Sequence, residues 1–174
     1  LVIDESELLA IFLEEAGTLL TEIDGALQEL RGAPEDREAL RVGSWLHDIG
    51  MACLDVWILS KSAQIGPRDP ELIKCHPAIG ARIVHTLPFH PAVSGIIRHH
   101  HEQYDGAGYP DRLKGEDISY LTRIVSLANA FDDLTAQQPG RDPLSIEDAK
   151  TFVQRQAGTL FDPVLAEMFV KVVG

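Results

Sequence analysis

Histidines and carboxylates, the side chains best suited to hold a metal ion, concentrate at three places in this sequence. Residues 99–102 are three consecutive histidines followed by a glutamate, and His47-Asp48 and His76 lie upstream. Imidazole is the commonest protein ligand for divalent transition metals, and carboxylates bind many of the same ions. Because the three places are far apart along the chain, the pattern predicts a metal centre that several helices assemble.

Helix geometry limits how the three consecutive histidines can be used. Adjacent residues on an α-helix point about 100° apart, so three in a row cannot all face one metal ion. Two of them could serve neighbouring positions in a binuclear centre, and we expect His99 to be the one that faces elsewhere. Two metal ions about 3.5–4 Å apart activate water and neutralise phosphate charge, which suits the hydrolysis of a phosphate ester.

A glycine-rich loop begins where the histidine run ends. Residues 102–115 span about 14 positions, and a loop of that length in a compact domain is usually functional. Gly106 and Gly108 let the backbone turn tightly and approach a ligand closely. Tyr109 adds an aromatic face and a hydroxyl, and Pro110 stiffens the exit. We therefore expect the loop to line a pocket beside the metal centre.

The rest of the chain has the periodicity of an all-α protein. Apolar residues recur at helical spacing from Leu9 to Leu30, and Gly-Ala-Pro at 32–34 then breaks the pattern, so we expect an N-terminal helix within 1–34 and a second unit at 35–174. Further helices are expected at 35–49, 69–85 with a bend or restart at Pro77, 92–101 and 118–136, then after Ser145 and after Asp162. Trp45 and Trp57 are assigned to the core.

Composition excludes some classes of function. The 174 residues suit one domain, and the formal net charge is −12. Binding to a DNA or RNA duplex needs clustered basic charge, whereas a small anionic ligand can be held through metal ions. No apolar run approaches the about 20 residues of a membrane span, and the acidic start lacks the basic residues of a signal peptide. Cys53 and Cys75 form no CxxC pair, which favours reduced cysteines in a cytoplasmic protein.

Several motifs together resemble the HD-GYP family. They are Leu-His-Asp-Ile-Gly at 46–50, His-Pro-Ala-Ile-Gly at 76–80 and His-His-Glu-Gln-Tyr-Asp-Gly-Ala-Gly-Tyr-Pro at 100–110. The similarity continues at 113–118, 123–124, 131–135 and 161–163, so it covers the chain from about Arg37 onward. The resemblance implies an HD-domain-like helical bundle with a long GYP loop. It also implies hydrolysis of the bacterial messenger cyclic di-GMP with two or three metal ions, often iron or manganese.

The resemblance also assigns roles to particular residues. The metal ligands it implies are His47, Asp48, His76, His100 and His101, with Asn129 at the position of a late aspartate ligand. Asp48 takes the catalytic role, bridging the metals and positioning the attacking hydroxide. The nucleotide pocket is expected to be lined by Asp105, Gly106, Gly108, Tyr109 and Pro110, with Arg112, Lys114 and Arg141 as the nearest basic residues to phosphate.

Three positions depart from the family pattern. Met51 stands where a lysine usually follows the HD motif, which removes a positive contact near the scissile phosphate. Asn129 is neutral and binds metal weakly through one oxygen. The family also takes a histidine from a helix ahead of the HD motif, and residues 1–42 contain none, so Glu14 or Glu15 is the nearest substitute.

Two hypotheses of different class follow. One is a metal-dependent phosphodiesterase for cyclic di-GMP with reduced activity. The other is a degenerate domain that keeps the fold and serves as a sensor or as a module that binds signalling proteins. A homodimer is compatible with either, because the first helix could pack on its copy. The acidic helical start is also similar to a histidine phosphotransfer domain, but His47-Asp48-Ile49-Gly50 stands where that domain's phosphoacceptor motif would be.

Overall fold

The computed structural model describes residues 34–54, 69–137 and 141–173. Over these ranges the regular elements are helical, and an isolated β-bridge pairs Ala157 with Phe161. The α-helices are α1 (Pro34–Leu46), α2 (Asp69–Ile73), α3 (His76–His85), α4 (Pro91–His99), α5 (Tyr120–Thr135), α6 (Ile146–Arg155) and α7 (Pro163–Val172), and short 3-10 helices cover Ile49–Cys53 and Gly115–Asp117. The all-α prediction is confirmed.

Some predictions fall on residues that the structure does not describe. They are the N-terminal helix, the proposed substitution by Glu14 or Glu15, and the core position of Trp57. Trp45 lies within the described ranges, and its assignment to the core is wrong. Its ring is 45% exposed on α1, where the guanidinium of Arg41 lies 5.3 Å from the ring centroid.

Local sequence explains where the helices begin. Pro77, Pro91 and Pro163 occupy the first turns of α3, α4 and α7, where the missing N–H costs nothing. Ser119 and Ser145 cap α5 and α6 by accepting hydrogen bonds from main-chain N–H groups at 3.2 and 3.1 Å. The Ser119 cap moves the start of α5 to Tyr120, two residues later than the periodicity predicts.

Helix α5 lies at the centre of the described bundle and packs against α1, α4, α6 and α7. Its buried face carries Val125 and Phe131, and the Phe131 ring meets Phe169 of α7 edge to face at 5.0 Å. A second apolar cluster joins α1, α3 and α4 through Ala39, Val84 and Ile97 among others. These two clusters fix the helices whose ends carry the histidines.

The backbone after α1 approaches α3 very closely at a glycine. The α-helix ends at Leu46, three residues earlier than predicted, and the chain continues as the 3-10 helix Ile49–Cys53. A Cβ placed on Gly50 would lie 2.0 Å from the carbonyl oxygen of His76 and 2.7 Å from the nitrogen of Gly80. Only a residue without a side chain fits between these two segments.

No helix in the described ranges is long and apolar enough to cross a membrane.

We predict that Gly50→Ala destabilises the fold because the added methyl group has no space. Inserting a methyl group into a packed region usually costs about 1–3 kcal/mol of unfolding free energy. In a protein of this size each ~1 kcal/mol lowers Tm by about 2–4 °C, which circular dichroism resolves.

Gly95→Ala is the matched control for that measurement. Gly95 lies in α4, and a Cβ there meets no atom within 4 Å. Alanine favours a helix over glycine by about 0.5–1 kcal/mol, so this variant should melt at or above the wild-type temperature. Equal melting temperatures for the two variants would contradict the close approach at Gly50.

Candidate metal centre

Four side chains from separate parts of the sequence meet at one point. Asp48, His76, His100 and His101 each offer one ligand-type atom, and these atoms all lie within 4.8 Å of one another. Nε2 of His76 lies 2.9 Å from Oδ1 of Asp48 and 3.3 Å from Nε2 of His100. The structure therefore brings together four of the six metal ligands expected from sequence.

Hydrogen bonds to main-chain carbonyls fix the orientation of the histidines. In each case Nδ1 contacts the carbonyl oxygen three residues earlier, at 2.7 Å for His47 and Ser44, 2.7 Å for His76 and Ile73, and 2.8 Å for His100 and Ile97. A carbonyl oxygen only accepts, so Nδ1 carries the proton and Nε2 of a neutral ring keeps its lone pair. This is the usual arrangement around a histidine that binds metal through Nε2.

The resulting cluster fits a cation. The lone pairs of His76 and His100 point at Oδ1 of Asp48, whose distance to Nε2 of His100 is 3.4 Å. That oxygen is buried and has no hydrogen-bond donor among the described residues. Acceptor atoms at such distances repel one another unless a positive charge lies between them, and nitrogen with carboxylate oxygen suits divalent transition metals.

His47 lies on the other side of the same carboxylate. Its Nε2 is 3.4 Å from Oδ2 of Asp48, and its ring centroid is 5.1 Å from that of His100. The two oxygens of Asp48 thus face different histidines, so this carboxylate has the geometry of a bridging group.

Burial sets the charges of these groups. It lowers the pKa of His100, and it lowers that of His101 to about 3 with further help from the neighbouring His100 and His76. Burial also raises the pKa of Asp48, but the adjacent imidazoles of His100, His76 and His47 outweigh it and leave that pKa well below its ordinary value. Neutral imidazoles and an ionised carboxylate are the forms that bind metal.

Of the three consecutive histidines, His99 is the one that faces away from the centre, as expected. Helix α4 ends at His99, and the rings of His100 and His101 lie 4.1 Å apart in the turn that follows. Nε2 of His99 contacts Oδ2 of Asp111 at 2.9 Å. His85 and His90 are exposed.

A buried carboxylate anchors the GYP loop from inside. Glu102 is 3% exposed, and its two oxygens accept hydrogen bonds from the main-chain N–H groups of Asp111 and Leu113 at 2.7 and 3.2 Å. A Cβ on Gly108 would lie 2.3 Å from the nitrogen of Gln103, so the returning chain touches the segment that carries the ligands. The loop is therefore packed against the metal centre.

An ion pair holds the loop from outside. Arg98 on α4 donates two hydrogen bonds to the carboxylate of Asp111, at 2.7 and 2.8 Å. Together with His99, this guanidinium lowers the pKa of Asp111 to about 2. The pair is exposed, so solvent screens it and the buried Glu102 contributes more to loop rigidity.

Tyr109 forms a wall of the centre. Its ring stacks on His101 with centroids 4.8 Å apart and planes 19° from parallel, and its N–H donates to the His101 carbonyl at 3.2 Å. Burial and then the charge of Asp48 raise its pKa to about 12, so the hydroxyl keeps its proton at physiological pH. Nζ of Lys74 lies 5.4 Å from the centroid of the same ring.

The other residues expected in the pocket are spread along the loop. Asp105 accepts a hydrogen bond from Ala107 N–H at 2.9 Å and its own N–H donates to Thr159, so it anchors the loop to the turn before α7. Gly106 has φ +87°, which favours glycine, and it lies against the side chain of Lys114. Pro110 follows Tyr109 through a cis peptide bond.

The three basic residues expected near phosphate, Arg112, Lys114 and Arg141, are all exposed. Arg112 has a φ of 56°, and Lys114 is solvent-facing apart from its contact with Gly106. Arg141 donates a hydrogen bond to the main-chain oxygen of Asp133 at the end of α5. The stretch 138–140 before it lies outside the described residues.

Of the three positions that depart from the family pattern, two lie in the described ranges, and both are half-buried. Asn129 lies on α5 and Met51 lies in the 3-10 helix beside Gly50. One turn beyond Asn129, burial raises the pKa of Asp132 and of Asp133. The nearby His47 offsets part of each shift. The C-terminal half of α5 is therefore within electrostatic range of the centre, and it presents carboxylates there besides the neutral Asn129.

Sequence reasoning missed the roles of Lys74 and Glu102. Lys74 lies two residues before His76, and nothing in its neighbourhood predicts a contact with a loop 35 residues later. Glu102 follows His101 directly, which was a usable signal, but only the fold shows that its carboxylate is buried and bonded to the loop backbone.

Comparison with known proteins agrees with this geometry. The family model of the HD domain matches residues 13–165. The cyclic di-GMP phosphodiesterase response regulator RpfG of Xanthomonas campestris pv. campestris is 31% identical over 83% of this chain and 39% of its own length. The 3'3'-cGAMP-specific phosphodiesterase 3 of Vibrio cholerae is 32% identical over 78% of this chain and 30% of its own length.

A solved structure gives the same result. The HDG"Y"P protein Bd1817 of Bdellovibrio bacteriovorus matches with a TM-score of 0.70 and 26% identity, covering 91% of this chain and 51% of that one. The chain thus spans less than half the length of the two curated relatives. The family match also begins inside the segment that the sequence assigned to a separate N-terminal helix. On these grounds the chain belongs to the HD domain family, in its HD-GYP branch.

Proposed function

We propose that this chain is a metal-dependent phosphodiesterase that hydrolyses cyclic di-GMP. The observation that supports it most directly is the cluster of lone pairs from His76 and His100 around Oδ1 of Asp48, next to the Tyr109 wall. A set of acceptors needs a cation, and a phosphodiester is the kind of substrate whose charge such cations neutralise. Relatives named as cyclic di-GMP and 3'3'-cGAMP phosphodiesterases support the substrate class.

The arrangement around Asp48 favours two metal positions. His76, His100 and His101 with Oδ1 would hold one ion, and His47 with Oδ2 would hold the other, with Asn129 as a weak ligand on α5. We propose iron or manganese, since imidazole and carboxylate suit both. When bound, such ions lower the pKa of water and neutralise phosphate charge. Asp48 orients the attacking oxygen.

Residues of the loop hold the substrate in this proposal. The protonated hydroxyl of Tyr109 donates a hydrogen bond, and its ring and His101 exclude water from one side of the centre. Arg112, Lys114 and Arg141 attract the phosphates of a ligand that must approach a strongly acidic protein. Both cysteines are exposed and unpaired, which supports a reducing compartment such as the cytoplasm.

The alternative, a degenerate domain that binds a signalling protein or acts as a sensor, is supported by two residues. Asn129 removes a charged ligand and Met51 removes a cation. Metal stoichiometry separates the two functions, because a sensor has no need of two ions per chain.

We predict two metal ions per chain in protein purified without chelator at low oxygen. Elemental analysis should find iron or manganese in the wild type and little metal in His100→Ala. We expect the metal affinity of this variant to fall by more than about 100-fold, because loss of an outer-shell partner alone lowers affinity by about 10–100-fold. His85→Ala, which removes an exposed histidine of α3, should keep full metal content. One ion or none in the wild type would favour the sensor.

We predict that Asn129→Asp raises both metal content and the rate of cyclic di-GMP hydrolysis. A carboxylate binds a divalent ion through charge, whereas the amide offers one neutral oxygen. Gln154→Glu on the exposed side of α6 makes the same change in net charge and should leave both quantities unchanged. If Asn129→Asp changes neither quantity, position 129 is not part of the metal centre.

We predict that the metal-loaded protein cleaves cyclic di-GMP faster than 3'3'-cGAMP, as followed by chromatography of the products. His76→Ala should abolish cleavage of both while His85→Ala retains it. Faster cleavage of 3'3'-cGAMP would reassign the substrate within the same class, and no cleavage of either by the metal-loaded wild type would exclude the proposed enzyme.

A further inference from the structure

Lys74 lies at the edge of the metal centre, and its charge has no counter-ion among the described residues. Lys74 is exposed in the turn between α2 and α3, and no carboxylate pairs with it in the described ranges. Its Nζ lies 5.4 Å from the centroid of the Tyr109 ring, which is within cation–π range. The same ring stacks on His101. Lys74 is thus linked to the centre through a single side chain.

Three arginines near the loop already have partners. The guanidinium of Arg98 is bonded to Asp111, and that of Arg123 is paired with Asp162 behind the loop. Arg141 donates to a main-chain oxygen. An ion-paired guanidinium has little charge left to offer a ligand, whereas the ammonium of Lys74 keeps its full charge and its three donors.

The centre needs such a charge on this side. Met51 supplies no positive charge where the family pattern places a lysine. Asp48 and Asp132 add negative charge at or near the metal centre. The whole chain carries a formal charge of −12. A phosphate that reaches the metal ions from the Tyr109 side therefore meets the ammonium of Lys74, which lies over the Tyr109 ring and has no ion pair among the described residues.

We propose that Lys74 binds a phosphate of the cyclic dinucleotide and supplies the positive contact that Met51 lacks. In the ligand-free protein the ammonium is held over the Tyr109 ring. When a nucleotide enters, a phosphate oxygen replaces the ring as its partner, and the freed face of Tyr109 turns towards the ligand. This inference rests on the proposed function, because it takes the ligand to be a cyclic dinucleotide.

The test compares Lys74→Gln, Lys74→Arg and the control Lys171→Gln, each as the metal-loaded chain. Lys171 is an exposed lysine of α7 paired with Glu167, so its loss makes the same charge change away from the centre. A hydrogen bond to a charged group is worth about tenfold or more in affinity. Lys74→Gln should therefore raise KM for cyclic di-GMP by about tenfold with kcat and metal content unchanged. Lys74→Arg should keep KM close to the wild-type value, and Lys171→Gln should match the wild type.

Binding measured by titration calorimetry keeps the two proposals separable. If the metal-loaded wild type binds cyclic di-GMP without cleaving it, the proposed enzyme fails, and the affinity ratio of Lys74→Gln to wild type still tests Lys74. An unchanged KM and Kd in Lys74→Gln overturns the proposal. So does a Lys74→Gln defect that appears only as lost metal or a lower Tm, because Lys74 then acts on the fold. Failure of the wild type to bind the nucleotide overturns both.

Discussion

The structure of the site depends on one electrostatic constraint, the crowding of hydrogen-bond acceptors that have no donor between them. Three of the histidines follow helix C-termini, since His47 comes after α1, His76 after α2 and His100 after α4. A helix leaves its last carbonyls without partners, and here Nδ1 of each histidine satisfies one of them. The bond that completes the helix end thereby turns the Nε2 lone pair inward. The negative ends of the α1 and α4 dipoles add to the same preference for a cation.

This constraint connects the helical pattern to the chemistry. The apolar clusters fix α1, α3 and α4, and the close approach at Gly50 brings Asp48 against the start of α3. Without that contact, Asp48 would not stand between His47 on one side and His76 on the other. The proton positions of the histidines thus follow from the helix ends that they complete. The packing of α1, α3 and α4 brings those helix ends together.

The sequence could predict the helical class, most helix starts and the turning away of His99, because prolines, serine caps and the 3.6-residue period act locally. It could not predict the early end of α1, because that depends on the contact between Gly50 and His76. Trp45 was misplaced because hydrophobicity does not say which face of α1 is covered. Lys74 and Glu102 were missed for a related reason: their contacts join segments far apart in sequence or depend on burial that only the fold creates.

The anchoring of the GYP loop has a consequence for how such a protein can change. Glu102 holds the loop through the backbone N–H groups at 111 and 113, and these groups are present whatever side chains those positions carry. Substitutions at Arg112 and Leu113 other than proline can therefore alter what the loop presents to a ligand without removing these two hydrogen bonds. Variation of this kind can change the surface that the loop offers while the scaffold beneath it stays the same.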